Sequence, residues 1–104
     1  ALYDASHEIL PIKESTKISK IPTEIVGPIC ESSDSFLKVD EFPDFSEGDY
    51  LVIMNAGAYG ASMSSNYNIR PLAAELLIDQ DRVKIIRKKQ SFDELFHNEK
   101  EISN

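Results

Sequence analysis

The apolar residues of this chain come in short runs broken by frequent turn formers, the punctuation of a β-rich domain. Pro11, Pro22, Pro28, Pro43 and Pro71 are scattered so that no long helix fits before about residue 90. Residues 7–13 read as a first strand, and Pro11 puts it at an edge or a bulge. The polar residues 14–17 turn the chain. Residues 23–29 read as a second strand, interrupted by Gly27-Pro28. The stretch 32–47 is polar with isolated aromatics, which predicts a long loop pinned by Phe36, Phe42 and Phe45. Glu47-Gly48-Asp49 is a turn. Residues 50–55 are apolar on both faces and predict a central, doubly covered strand. Residues 73–79 and 82–88 form two short strands around Asp79-Gln80-Asp81, a hairpin signal.

The period then changes. Ser91-Phe92-Asp93-Glu94 has capping-box spacing, and Phe92, Leu95 and Phe96 fall on one helical face. The tail from Asn98 is polar. Several short strands, one closing helix and many turns predict a mainly β domain, a barrel or a sandwich. A length of 104 residues sets one domain with one modest core. The apolar start Ala1-Leu2-Tyr3, without an initiator Met, is what a piece cut from a longer protein would show.

Charge removes whole classes of partner. With 18 acidic and 11 basic residues the formal net charge is -7, so a phosphate backbone or an anionic membrane surface would be repelled. The one basic run, Arg87-Lys88-Lys89, reads as a solvated strand end. The single cysteine can form neither an intramolecular disulfide nor a thiolate zinc site, which fits a reducing, cytoplasmic setting. The longest apolar run, residues 50–54, is far short of a membrane span.

Two segments differ from plain scaffold. The first is Gly27-Pro28-Ile29-Cys30-Glu31-Ser32-Ser33-Asp34, where a strand ends and a thiol, a carboxylate and hydroxyls follow at once. The second is residues 55–68, in which small residues flank Tyr59 straight after the apolar strand; glycines there let another body approach the backbone. Each has a plainer reading. A lone cysteine is usually a small buried hydrophobe. Glu-Ser-Ser-Asp is usually a solvated loop, and Gly-Ala-Tyr-Gly is a tight turn with one packed ring. His7 and His97 have no partner at triad or metal spacing and read as structural. No phosphate-binding loop, dinucleotide fingerprint or zinc motif is present.

Cys30-Glu31-Ser32-Ser33-Asp34 resembles the Cys-Glu-Ser-x-Asp motif of the diaminopimelate decarboxylases, a family of fold-type III pyridoxal-phosphate enzymes. Residues 49–70, with Ala56-Gly57-Ala58-Tyr59-Gly60 and Met63-Ser64-Ser65-Asn66-Tyr67-Asn68, look like the family's second signature. Leu2-Tyr3-Asp4-Ala5 with His7-Glu8-Ile9 looks like the segment that leaves its catalytic barrel. Order and spacing match from residue 1 to about residue 96. Ser6 departs from the pattern, in which an aromatic or basic residue is common.

The resemblance implies a fold and a set of roles. Residues 1–104 would be a single C-terminal, Greek-key-like β-barrel domain, with residues 1–6 as the exit segment from a preceding α/β-barrel and residues 91–100 as a C-terminal helix. The cofactor lysine and the glycine-rich phosphate cradle would belong to that other barrel. The family removes carbon dioxide from meso-diaminopimelate to give L-lysine, with pyridoxal phosphate as electron sink. By carry-over, Cys30 would be the acid that returns a proton to the decarboxylated carbon. Glu31 would bind the distal amino group of the substrate. Tyr59 would reach the cofactor phosphate and the substrate, and Tyr3 a substrate carboxylate. Ser32 and Asp34 would support the loop. Cys30 and Glu31 would act across a homodimer interface, while Tyr59 would serve its own chain. Two alternatives stay open: a related decarboxylase of ornithine, arginine or carboxynorspermidine type, and a non-catalytic β-barrel interaction module. Glu31 argues against the ornithine type, which usually has Asp there.

Overall fold

The computed structural model of the chain describes residues 6–102. Tyr3 and the rest of the segment 1–5 lie outside the described residues. The chain divides between Ala58 and Tyr59 into two compact units.

The first unit is built of antiparallel pairs. β1 (Ile9–Pro11) pairs with β6 (Leu51–Ile53), with Ile9 opposite Ile53 and Pro11 opposite Leu51. The ladder extends beyond both ends. The Ile12 amide donates to the Tyr50 carbonyl, and the Met54 amide donates to the Glu8 carbonyl. His7 Nδ1 lies 2.9 Å from the Met54 carbonyl, so the structural reading of His7 has a concrete partner. β2 (Ile18–Ser19) pairs with β5 (Phe42–Pro43). β3 (Thr23–Val26) pairs with β4 (Ser35–Val39), with a register shift between Ile25 and Val26. On the outer face of that pair Glu24 stands opposite Lys38, with 3.3 Å between their charged atoms. The Ser35 hydroxyl donates to Glu24 Oε1 at 2.8 Å; this bond, more than the nearby Lys38 ammonium, holds the Glu24 carboxyl below its ordinary range.

The second unit is local in its contacts. β7 (Glu75–Asp79) and β8 (Arg82–Arg87) form the predicted hairpin, with Asp79 opposite Arg82. Its two-residue loop needs a left-handed residue, and Gln80 supplies it at φ 53°, where asparagine or glycine is commoner. The C-terminal helix, expected over 91–100, is one turn, α2 (Phe92–Leu95). Its capping box is complete: Ser91 Oγ accepts from the Glu94 amide, and Glu94 Oε2 accepts from the Ser91 amide. The neighbouring Lys88 ammonium and this cap hold the Glu94 carboxyl below its usual range. Beyond the turn the polar residues from Asn98 supply no apolar face to extend it.

Two expectations are corrected. The stretch 32–47 is not one long loop, because it contains β4 and β5. Cross-strand pairing with β2 and β3 overrode its polar composition. Of its three rings, Phe42 is buried and meets Phe45 edge-on at 5.7 Å, whereas Phe36 is exposed. Residues 50–55 are not a doubly covered strand either. Leu51, Val52 and Ile53 are half-buried and pair along one side, while Tyr50 is exposed. Among the described residues every sheet has two strands and none closes on itself. The architecture is mainly β with short helices. Among the described residues the buried apolar side chains are Ile9 and Phe42, and both faces of the β7–β8 hairpin carry exposed aliphatics such as Leu77, Ile78, Val83 and Ile85.

Candidate active-site loop

Residues 27–34 connect β3 to β4, and the register of those strands decides what the loop presents. Val26 stands opposite Ser35 at the end of the ladder. The Gly27 amide donates to the Asp34 carbonyl at 2.9 Å and adds one further rung. Pro28 then lacks an N–H to donate, so pairing stops there. The Glu31 amide donates to the Ile29 carbonyl at 2.8 Å, and the Asp34 amide donates to the Glu31 carbonyl at 3.2 Å. The Ile29 amide donates to Asp34 Oδ2 at 2.8 Å. The backbone bonds contribute about 0.5–1.5 kcal/mol each and the bond to the carboxylate about 1.5–3 kcal/mol, so the loop's own polar contacts shape it.

Cys30 and Glu31 are carried at the tip of this loop, and both are exposed. The reading of Cys30 as a small buried hydrophobe is therefore corrected: the hydrogen bonds that fold the tip turn Cys30 outward, where it is exposed. Ser33 Oγ donates to Glu31 Oε2 at 3.1 Å, which orients the carboxylate from within the loop. Ser32 is exposed, and Asp34 is half-buried beneath the tip.

Tyr59 stands on α1 (Gly57–Ser62), a six-residue helix with no buried side chain. The expected tight turn is thus a helical turn, and its small residues leave the tyrosine 72% exposed. A methyl group added at Gly57 or Gly60 would meet nothing within 4 Å. Among the described residues, no atom outside the helix makes the close approach those glycines permit.

The rest of the second signature is a strained turn, Tyr67–Ile69. Asn68 and Ile69 have φ 54° and 58°; asparagine tolerates this region, but a β-branched residue rarely does. Such strain costs about 1–3 kcal/mol per residue and persists only where neighbours enforce it. Gln90 is the enforcing neighbour. Its Oε1 accepts from Asn66 Nδ2 at 2.6 Å and from the Leu72 amide at 3.0 Å, and its own amide donates to the Leu72 carbonyl at 3.0 Å. Asn66 Nδ2 also reaches the Arg70 carbonyl at 2.9 Å. Nothing in the sequence singles out Gln90; a lone glutamine after a strand carries no local signal of a partner 24 positions away.

Two clefts among the described residues lie elsewhere. One, lined by Pro22, Thr23, Glu24, Lys38, Val39 and Asp40, sits at the end of the β3–β4 ladder opposite to Cys30. The other is lined by residues around Glu14 and Asp44. A thiol and a carboxylate displayed on a loop tip, outside both, form a surface rather than a pocket. They can donate a proton and bind a cation to whatever body meets that surface. Among the described residues no cluster of metal-ligating side chains is present, and no helix is long and apolar enough to cross a membrane.

Residues 1–57 match the family model "Pyridoxal-dependent decarboxylase, C-terminal sheet domain". The diaminopimelate decarboxylase of Aquifex aeolicus (strain VF5) is 47% identical over 94 residues, which are 89% of this chain and 22% of that protein. That of Helicobacter pylori (strain ATCC 700392 / 26695) is 44% identical over 101 residues, 97% of this chain and 25% of that protein. The crystal structure of the Helicobacter pylori enzyme complexed with L-lysine superposes with TM-score 0.80 at 45% identity, covering 92% of this chain and 23% of that one. The enzyme from M. jannaschii, also in complex with L-lysine, gives TM-score 0.86 at 33% identity over 97% of this chain and 23% of that one. The chain thus spans about a quarter of the length of the relatives it matches. With the sheet-domain match, the loop motif and the shared fold in agreement, the chain belongs to the pyridoxal-dependent decarboxylases, within their C-terminal sheet domain family.

Proposed function

We propose that the chain is the C-terminal sheet domain of an enzyme that decarboxylates meso-diaminopimelate to L-lysine. The observation that carries this reading is the exposed Cys30-Glu31 tip, in a chain 38% to 48% identical to diaminopimelate decarboxylases along almost its whole length. That crystal structures of two relatives hold L-lysine agrees with lysine as the product.

This chain's side chains fit pyridoxal phosphate as contributors to a shared site. Tyr59 offers an exposed hydroxyl on a helix of small residues, which suits one hydrogen bond to a phosphate oxygen. The bound cofactor supplies the electron sink for cleavage of the carbon–carboxylate bond. Cys30 gives its thiol proton to the carbon that carbon dioxide has left, and solvent returns a proton to the sulfur. Glu31, oriented by Ser33, holds the distal ammonium of the substrate by a charge-assisted bond. Tyr3 contacts a substrate carboxylate. Cys30 and Glu31 serve the partner subunit of a homodimer, and Tyr59 serves its own chain. The sheet closes into a barrel as one domain when the rest of the enzyme is present. The exposed aliphatics of the β7–β8 hairpin support this, since apolar surface on that scale marks an interaction face.

The test is decarboxylation by the full-length enzyme across a panel of amino acids, read as carbon dioxide release. Meso-diaminopimelate should give the highest kcat/KM. A preference for ornithine, arginine or carboxynorspermidine would move the enzyme within its family, and no release from any of them would favour a non-catalytic module. A finer prediction concerns Tyr59. In Tyr59→Phe the cofactor should bind more weakly by about 1.5–3 kcal/mol, the worth of a hydrogen bond to a charged group. Titration of the cofactor-free enzyme with pyridoxal phosphate measures this, and an unchanged Kd would remove Tyr59 from the phosphate.

A further inference from the structure

Asp34 touches the loop on both sides of Cys30. Its carboxylate accepts from the Ile29 amide at 2.8 Å, and its own amide donates to the Glu31 carbonyl at 3.2 Å. Its carbonyl accepts from the Gly27 amide at 2.9 Å. One residue therefore ties together the strand end, the residue before the thiol and the residue after it. The carboxylate lies in the space where a side chain at position 27 would begin. A Cβ on Gly27 would sit 2.1 Å from Asp34 Oδ2, 2.2 Å from Oδ1 and 2.4 Å from Cγ. Gly27 is not in the left-handed region, so its backbone does not call for glycine. The carboxylate does.

We propose that Gly27 and Asp34 act as one positioning device, a latch that fixes the Cys30-Glu31 tip in the geometry needed at the site it enters. The inference rests on the reading of Cys30 and Glu31 as site residues and adds which residues orient them. The latch works through a hydrogen-bond acceptor against backbone, in a niche that admits no side chain at position 27. The placement of the acceptor oxygen, more than the net charge of Asp34, does the holding. Asp34 is thus a positioning residue, and the reacting group is the thiol it steadies.

The experiment uses the full-length enzyme. Asp34→Ala should lower kcat by about 10–100-fold, the cost of a small misplacement of a reacting group, with cofactor affinity unchanged. Gly27→Ala should lower it comparably, because the new methyl expels the carboxylate. The double variant Gly27→Ala/Asp34→Ala should be no worse than Asp34→Ala alone, since the methyl enters space already vacated. Asp34→Asn keeps an acceptor oxygen at the same reach and should stay within roughly threefold of the parent. A second readout is independent of turnover: in cofactor-free protein, amide exchange at Ile29 should accelerate about tenfold in Asp34→Ala and not in Asp34→Asn. Additive losses in the double variant, Asn as impaired as Ala, or parental exchange in Asp34→Ala would each overturn the latch. If Asp34→Ala does not fold, kcat and Ile29 exchange in Asp34→Asn decide: parental values support the latch, losses in both overturn it. Cys30→Ala run in parallel separates the two ideas. Parental kcat there sinks the role of the thiol, while the exchange result still judges the latch.

Discussion

Replacing Cys30 with alanine in the full-length enzyme should lower kcat by about 10²–10⁴-fold, the range typical of a lost general acid. Hydrogen bonds within residues 27–34 hold the tip without burying the thiol, and the single cysteine has no intramolecular disulfide partner. A proton donor must be within reach of the atom it protonates, and an exposed tip meets that need if a second body brings the substrate to it. Alanine removes the proton and little else, so cofactor affinity and the KM for substrate should change far less than kcat. Cys30→Ser keeps a hydroxyl of much higher pKa and should fall between the two. Steady-state kinetics with a cofactor titration checks this. A loss confined to KM would mean that Cys30 only binds. The subunit assignment has its own check. Cys30→Ala mixed with a variant lacking the cofactor lysine should regain activity, because one hybrid site then has both groups.

Local structure was the legible part of this fold. The β7–β8 hairpin and the capped turn at Ser91 depend on residues a few positions apart, and their spacing stands in the sequence. The β1–β6 ladder joins residues far apart in the chain, and nothing in either segment names the other. β4 was hidden for a related reason. Leu37-Lys38-Val39 alternates like a strand, but three residues in polar surroundings read as loop until β3 supplies a partner. Residues 50–54 misled in the opposite direction. Their apolar run states that they prefer to be covered, not by what, and in this chain Leu51, Val52 and Ile53 are covered only in part. The candidate site was legible as motifs, and its mechanics were not. That Gly27 is glycine because Asp34 lies where its Cβ would be, and that Gln90 clamps the turn after Asn66, are tertiary facts with no signature in composition or period.

Glu31→Ala should lower kcat/KM for meso-diaminopimelate by about 2–5 kcal/mol, the usual loss when one partner of a desolvated charge pair is removed. The carboxylate does not roam at the tip: Ser33 Oγ donates to its Oε2, and its backbone is bonded on both sides. A carboxylate fixed before it meets its ligand loses less side-chain entropy on binding, which sharpens discrimination. The distal ammonium would then be left without its partner in the closed site, a cost that falls on this substrate alone. Discrimination is therefore the decisive quantity. Shorter amino acids lacking the distal group should be processed with nearly the parental kcat/KM, so the preference for diaminopimelate should collapse. Glu31→Gln, which keeps the shape and loses the charge, should lie between alanine and the parent. Glu31→Asp draws the carboxylate back by one methylene and should also lose ground, because the donor at Ser33 holds the longer side chain at a set reach. Competition assays between diaminopimelate and a shorter amino acid measure the ratio directly. An unchanged ratio in Glu31→Ala would mean that the distal group is read by another residue, and would reduce Glu31 to a support of the cysteine loop.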